Sequence, residues 1–500
     1  MNREELLQIV AALAIGGALW FVVNLDPVWP VAWFVPGLLF ALALKSEGWT
    51  SRGLVAIASL VGAASNFRYL LTVFPLTSAM LVLLLQTLMW MAIYGTARRI
   101  VRVYQAAWTV IALPISAVAM DTLLAHLAPD GNWGSLAYTQ AEALPIVQIV
   151  SVVGLAGVLF VLMLGNSAVA LGLVYGLRLR NARAMFISVA LVIACTVGFG
   201  WWRLHSSSAT MQRAPVTFGM AAVDDFIAGP DSRESAEVWA QYEAQVQQLA
   251  GSGARVVLLP EKIAVLEKVD AERRKAWLAE LARTNQVWLV AGLGVVDSGQ
   301  RRNEAWWFAP DGRLLASYLK HYLAPPERDF VAGHDYALND IRGVHYGLAI
   351  CKDMHFASFG RELGRRHVGV ALVPAWDFGR DADMAANMTK LRGIESGFAI
   401  VRSSREGVLS VSDAYGRVFA AARSARLPGA TLLATVATGT PLKTIYMRIG
   451  DSLGWTCVAA ALALALAARW RERRSRIIAE LGSSGASATK ENGAEAAPSE

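Results

Sequence analysis

The first 203 residues hold a succession of apolar runs with few charges between them. Most approach or exceed the roughly 20 helical residues that cross a bilayer. Runs at 5–24, 28–44, 52–66, 70–95, 104–127, 147–176 and 184–203 read as spans, and one more lies at 451–469. This pattern predicts a membrane domain of about seven transmembrane helices over 1–203. A polar region follows at 204–449, then a C-terminal transmembrane helix within 450–470 and a basic tail, 471–500. Charged residues make up only 17% of the chain, against about a quarter in an ordinary soluble domain.

Cytoplasmic loops carry excess Lys and Arg, which orients such a chain. With Arg3 inside, the inside loops hold Lys45 and Arg52, then Arg98, Arg99 and Arg102, then Arg178, Arg180 and Arg183. The C-terminal flank adds Arg469, Arg471, Arg473, Arg474 and Arg476. The short outside loops offer only Arg68, and 128–146 has neither Lys nor Arg. The asymmetry predicts that 204–449 is extracytoplasmic. The net charge of +7 then needs no nucleic-acid partner. Asn2, Glu4 and Glu5 make residues 1–24 a poor signal peptide. The tail 482–500 lacks apolar residues for a core and is expected to be disordered.

From Ala214 onward, short apolar runs alternate with amphipathic segments, the pattern of an α/β domain. Strands are expected at 216–223, 255–260, 287–296, 344–351 and 368–374, with more among FAIVRSS, VLSVSDAYGRVFAA and TLLATVAT. A hairpin spans 304–320, turning at Pro310-Asp311-Gly312. Helices are expected from Asp231, which with Glu234 resembles a capping box, over 270–285, between 351 and 368, and over 383–397.

Cys351 ends the apolar run VHYGLAIC and is followed at once by Lys352 and Asp353. Of the three cysteines, Cys195 and Cys457 lie in expected spans, so Cys351 has no disulfide partner within its own domain. His345 and His355 have the wrong spacing to join it on a metal. A buried free thiol and a nucleophile remain. Glu261 ends the run RVVLLPE and Lys320 ends LLASYLK, so three reactive side chains come at the ends of apolar strands, where α/β sheets tend to place their sites. Glu261 and Lys320, taken alone, each have a plain reading as a solvated loop residue. Together the three supply a base, an oxyanion partner and a thiol for acyl transfer, and a nearby lysine favours the thiolate.

The motifs LLPE at 258–261, YLKHYLAPPE at 318–327 and LAICKDMHF at 348–356 resemble those of the nitrilase (carbon–nitrogen hydrolase) superfamily. The order and spacing match, as do NEAWWFAPDGRLLASY, VPAWDF and KLRGIESGFAIVRSS. With seven spans before the domain and one after, the whole chain is similar to the apolipoprotein N-acyltransferases of the bacterial inner membrane. The resemblance implies an αββα sandwich with a catalytic triad of Glu261, Lys320 and Cys351, supported by Glu327. It also implies a phospholipid acyl donor, a Cys thioester and a lipoprotein amine as acceptor, with no cofactor. Those enzymes usually continue the cysteine as Cys-Tyr-Glu, where this chain has Cys351-Lys352-Asp353. Their lysine loop usually runs one residue longer before the second glutamate.

Two other functions fit parts of the pattern. A tethered amidase would keep the triad and let water resolve the thioester of a small amide. A transporter needs ionisable groups within its spans, and here they are chiefly Asp121 and His126, near the outer end of the fifth. Trp376 and Phe378 read either as core or as walls of an acyl pocket.

Overall fold

The computed structural model describes residues 3–206, 215–225 and 233–494. Among these, seven helices are long and apolar enough to cross a membrane: Arg3–Val23, Gly48–Val73, Leu76–Tyr104, Ala107–Leu127, Leu155–Arg178, Ala182–His205 and Ser452–Ile478. The run expected as the second span forms only the shorter Val31–Lys45. At 1.5 Å per residue it rises roughly 22 Å, less than the roughly 30 Å of a hydrocarbon core. The chain still passes from one end of the bundle to the other along it. Trp33, at its start, donates to Gln140 (2.9 Å). At its finish Arg98 donates to the carbonyls of Ala43 (2.7 Å) and Ser46 (2.6 Å). Arg98 lies in the last turns of Leu76–Tyr104, whereas Tyr69, just before that helix, bonds Asp381 of the α/β domain (2.8 Å). Arg98 and Arg102, which reaches the same carbonyl of Ser46, therefore mark the end of the bundle remote from the α/β domain.

Close helix contacts in the bundle use small residues, as packing without a hydrophobic drive requires. A Cβ on Gly16 would fall 2.8 Å from that of Val61, and one on Gly62 would fall 2.8 Å from that of Leu19.

The α/β domain is built on two sheets. One runs in the order Ala430–Ala437, Pro215–Ala222, Val256–Leu258, Trp288–Asp297, Gln300–Phe308 and Leu314–Leu319. The other runs Val418–Arg423, Val408–Ser412, Ala399–Arg405, Val370–Trp376, Val344–Leu348 and Leu338–Ile341. Alternation along the strands sends one set of side chains inward, including Phe218, Leu258 and Trp307 from the first sheet and Tyr346, Leu372 and Ile400 from the second. The opposite set on the first sheet, Ala221, Val257 and Leu289, packs against Val238, Val246 and Leu281 of helices Arg233–Gly251 and Lys268–Asn285. Helices Ala357–Arg365 and Ala382–Ser396 cover the second sheet. The result is the αββα sandwich that the resemblance implies.

The outer face of Ala382–Ser396 docks on the membrane bundle, and Met388, Leu391 and Ile394 join the core of the spans. Glu395 accepts the backbone N–H of Leu155 (3.0 Å), placing a carboxylate at the positive end of a long membrane helix. Arg392 ties the same carboxylate (2.5 Å) to the hydroxyl of Tyr138 (2.8 Å).

Several expectations need correction. Strand pairing ends at Leu348, and Cys351 opens a 3₁₀ turn, Cys351–His355, instead of closing the strand. The run 255–260 is regular strand over Val256–Leu258, and its backbone bonding runs on past it, with Leu259 donating to the carbonyl of Val290 (2.8 Å) and the Pro260 carbonyl accepting from Gly292 (3.1 Å). Val265–Glu267, Phe330–Val331 and Leu338–Ile341 are strands too short to show a period. The last helix continues to Ala494, so part of the tail expected to be disordered is helical. Its Gly, Ser, Thr and Asn residues are weak helix formers, so this extension draws on a helix already nucleated upstream. Asp231 lies outside the described residues.

Candidate active site

Glu261, Cys351 and the pair Lys320 and Glu327, which share a loop, come from three connections and meet at one end of the sandwich. Lys320 is almost fully buried and donates to Glu261 Oε1 (2.7 Å) and Glu327 Oε2 (2.8 Å). Those bonds use two of the three ammonium donors. Two further residues, absent from the sequence reading, complete the array. Asn303 donates its amide to Glu261 Oε1 (2.5 Å) and Glu327 Oε1 (2.7 Å). Lys262 pairs with Glu327 and lies 4.9 Å from the centre of the Trp376 ring. Asn303 could have been found as the amide that directly precedes EAWWF in its strand. Lys262 gave no such signal.

The two carboxylates differ in what remains free. Glu327 accepts from Lys320, Lys262, Asn303 and the N–H of Ala324 (3.0 Å). Burial would push its carboxyl up, but the charges of Lys320 and Lys262 outweigh that and hold it well below the usual range. Glu261 is also buried, yet its Oε2 has no hydrogen-bond partner among the described residues. Glu327 is thus a fixed counter-charge, and Glu261 keeps an oxygen available for a proton. Gly292 allows the approach: a Cβ there would fall 2.6 Å from the Cα of Glu261.

Cys351 has φ of +43°, in the left-handed region that costs a residue with a Cβ of order 1 kcal/mol or more. Its Sγ lies 3.5 Å from the carbonyl oxygen of Trp376. Burial pushes the thiol well above its ordinary pKa, the charge of Glu261 adds to this, and Lys320 opposes it. A nearby lysine favours the thiolate, as the sequence suggests, but burial and Glu261 outweigh Lys320 here. Lys320 itself would be lowered by burial, but Glu261 and Glu327 together hold it well above the usual range.

The turn is fixed from below by Asp353, which is fully buried. Its carboxylate accepts from the N–H groups of Ile350 (2.8 Å), Tyr322 (2.9 Å) and His321 (3.1 Å) and from the hydroxyl of Tyr318 (2.7 Å). One side chain therefore joins the cysteine turn to the lysine loop.

All four residues line one cavity of about 850 Å³, which continues from the sandwich into the bundle between Leu88, Met89, Leu124, Leu159 and Met163. Trp376 and Phe378 line it, and Phe378 also packs against the apolar cluster of Tyr69, Leu70 and Leu83. Asp121 also lines it, bonded to Asn132 (2.8 Å). His126 is 3.4 Å from Asp451 instead.

A membrane bundle opening into an αββα sandwich, with Glu, Lys and Cys converging in the shared cavity, defines a membrane-bound enzyme of the carbon–nitrogen hydrolase class. The carbon–nitrogen hydrolase family model matches residues 227–452, and the model of the apolipoprotein N-acyltransferase N-terminal domain matches residues 15–168. The chain is 26% identical over 396 residues to the apolipoprotein N-acyltransferase of Geobacter metallireducens, covering 72% of this chain and 74% of that one. Against the enzyme of the same name from Bradyrhizobium diazoefficiens it is 25% identical over 421 residues, covering 73% and 75%. It is 28% identical over 150 residues to human omega-amidase NIT2, covering 26% of this chain and 54% of that one. Among solved structures, an amidase from Nesterenkonia sp. AN1 superposes with a TM-score of 0.40 at 18% identity, covering 48% of this chain and 95% of that one. The chain is an apolipoprotein N-acyltransferase-like member of the nitrilase superfamily, an acyltransferase of a bacterial membrane.

Proposed function

We propose that this protein moves a fatty acyl group from a membrane phospholipid, through a thioester on Cys351, to the N-terminal amine of a lipoprotein. The observation that carries this reading is the single cavity joining Cys351, Glu261 and Lys320 to apolar side chains of the membrane helices. An amidase acting on a small soluble amide has no use for such a lining. A fatty chain lying in the bundle would bring its carbonyl to the thiol.

In the first step Glu261 Oε2 takes the proton from Cys351 Sγ as sulfur attacks the ester carbonyl. The oxyanion receives the third N–H of Lys320 and the backbone N–H of Lys352. Collapse expels the lysophospholipid alkoxide, which takes the proton from Glu261, and the thioester remains. In the second step the acceptor amine attacks the thioester and gives a proton to Glu261. The thiolate leaves, recovers that proton, and an amide is formed. Both substrates are lipid-anchored, so they arrive from the bilayer.

Purified protein mixed with phospholipid is expected to gain one fatty-acyl mass on the peptide containing Cys351. The adduct should persist in water, because a cavity open to water would waste the donor, and discharge on adding a lipopeptide amine. Hydrolysis of small amides without any acyl adduct would replace this assignment with the tethered amidase.

The same reading has the α/β domain on the periplasmic side of the inner membrane. Arg98, Arg99 and Arg102 lie in the last turns of Leu76–Tyr104, whose other end faces the domain, and arginines that flank a span stay inside. Cysteines engineered on the surface of 233–437 should react with a membrane-impermeant maleimide in spheroplasts with intact inner membranes. Labelling only after lysis would reverse the orientation.

A further inference from the structure

Lys352 follows the nucleophile directly, and its side chain leaves the domain to which it belongs. It is 5% exposed. Its ammonium donates to Asp130 Oδ1 (2.6 Å), the Leu323 carbonyl (2.8 Å) and the Pro129 carbonyl (3.3 Å). All three donors of the group are used. Pro129 and Asp130 follow the membrane helix Ala107–Leu127, and Leu323 belongs to the loop after Lys320. Three pieces of the active site, one of them from the membrane domain, therefore meet on the residue after the nucleophile. Asp130 also lines the reaction cavity.

We propose that the Lys352–Asp130 ion pair is a positioning device for the oxyanion donor, so that the membrane domain completes the active site as well as anchoring it. This rests on the thioester reading above. In that reading the backbone N–H of Lys352 holds the oxyanion, so whatever fixes Lys352 aims that N–H. Asp353 fixes the turn from the domain side through Ile350 and the lysine loop. Asp130 fixes the opposite side, and it is the only charged partner of the Lys352 ammonium among the described residues. A buried ammonium deprived of its carboxylate does not keep its place. The side chain then withdraws toward water and turns the peptide with it. A misplacement of about 1 Å in such a group costs on the order of a hundredfold in rate.

The test uses the full-length protein in phospholipid. In Asp130→Asn, acylation of Cys351 is expected to slow roughly ten- to a hundredfold. Alkylation of Cys351 by iodoacetamide, a displacement at carbon that forms no oxyanion, should stay within about twofold of wild type. Asp130→Glu should recover most of the acylation rate. Lys352→Met should match Asp130→Asn, and the double variant should be no worse than either, as coupled residues behave. Wild-type acylation in Asp130→Asn would overturn the proposal. So would an equal fall in acylation and alkylation, since that marks collapse of the turn and not a misaimed donor. A wild-type protein that never takes an acyl group would overturn the thioester reading, and the positioning role with it.

Discussion

Cys351→Ala is expected to abolish acyl transfer outright while the protein still folds and enters the membrane. The sulfur makes one weak hydrogen bond, 3.5 Å to the carbonyl of Trp376, and the side chain packs at the margin of the inter-sheet core, so alanine removes a single heavy atom there. Glu261→Gln is the matched test of the base. The amide oxygen can still accept from Lys320 and Asn303, which now hold Oε1, but no group is left to take the thiol proton. A general base contributes typically 10²–10⁴-fold, and a thiol raised by burial depends on one more than an ordinary cysteine does. Lys320→Ala is a harsher change. It removes an oxyanion donor, worth about 10²–10³ in rate, and leaves two buried carboxylates short of their main partner. Breaking a buried pair in this way costs roughly 3–5 kcal/mol, so Lys320→Ala should lose stability as well as activity. Acyl transfer by each purified variant, measured beside thermal unfolding, separates the cases. Near-normal activity in Cys351→Ala would leave the sulfur as core and end the nucleophile reading.

The motifs that carry this chemistry were legible because strand ends are marked in sequence: an apolar run stops and a charged residue follows. Glu261, Lys320 and Cys351 all show that mark, and Glu327 lies within the same loop as Lys320. What joins them was not legible. Asn303 sits inside a paired strand, where a polar residue usually faces water, yet it is fully buried between two carboxylates. Lys262 looks like a solvated loop lysine until the fold closes Trp376 and Glu327 around it. The spans were visible as lengths of apolar sequence. The shortness of Val31–Lys45 was not, because composition does not tell an apolar helix from an apolar approach to one; Pro30 and Pro36 were the available signal. The pair Lys352-Asp353 registered only as a departure from the usual Cys-Tyr-Glu. Its meaning needed the partners, Asp130 on one side and the lysine loop on the other.

That second partner sets the other large effect: Asp353→Ala should cost both stability and turnover. The carboxylate is the shared acceptor for four donors, and they differ in their access to water. The N–H groups of His321 and Tyr322 are only partly buried and can find solvent. The N–H of Ile350 and the hydroxyl of Tyr318 are buried and cannot. Each buried donor left without an acceptor costs roughly 1–3 kcal/mol, so the folded state should lose on the order of 2–6 kcal/mol. The kinetic loss follows from geometry, since the same oxygens hold the turn of Cys351 against the loop of Lys320. If the thiol and the ammonium drift apart by about 1 Å, acylation falls about a hundredfold. Asp353→Asn keeps one acceptor oxygen but turns an amide N–H toward donors, so it should fall between wild type and alanine in both measurements. Thermal unfolding and the rate of acyl-adduct formation on Cys351 test this together. A variant with alanine at 353 that unfolds at the wild-type temperature and acylates at the wild-type rate would mean that the backbone alone fixes the turn.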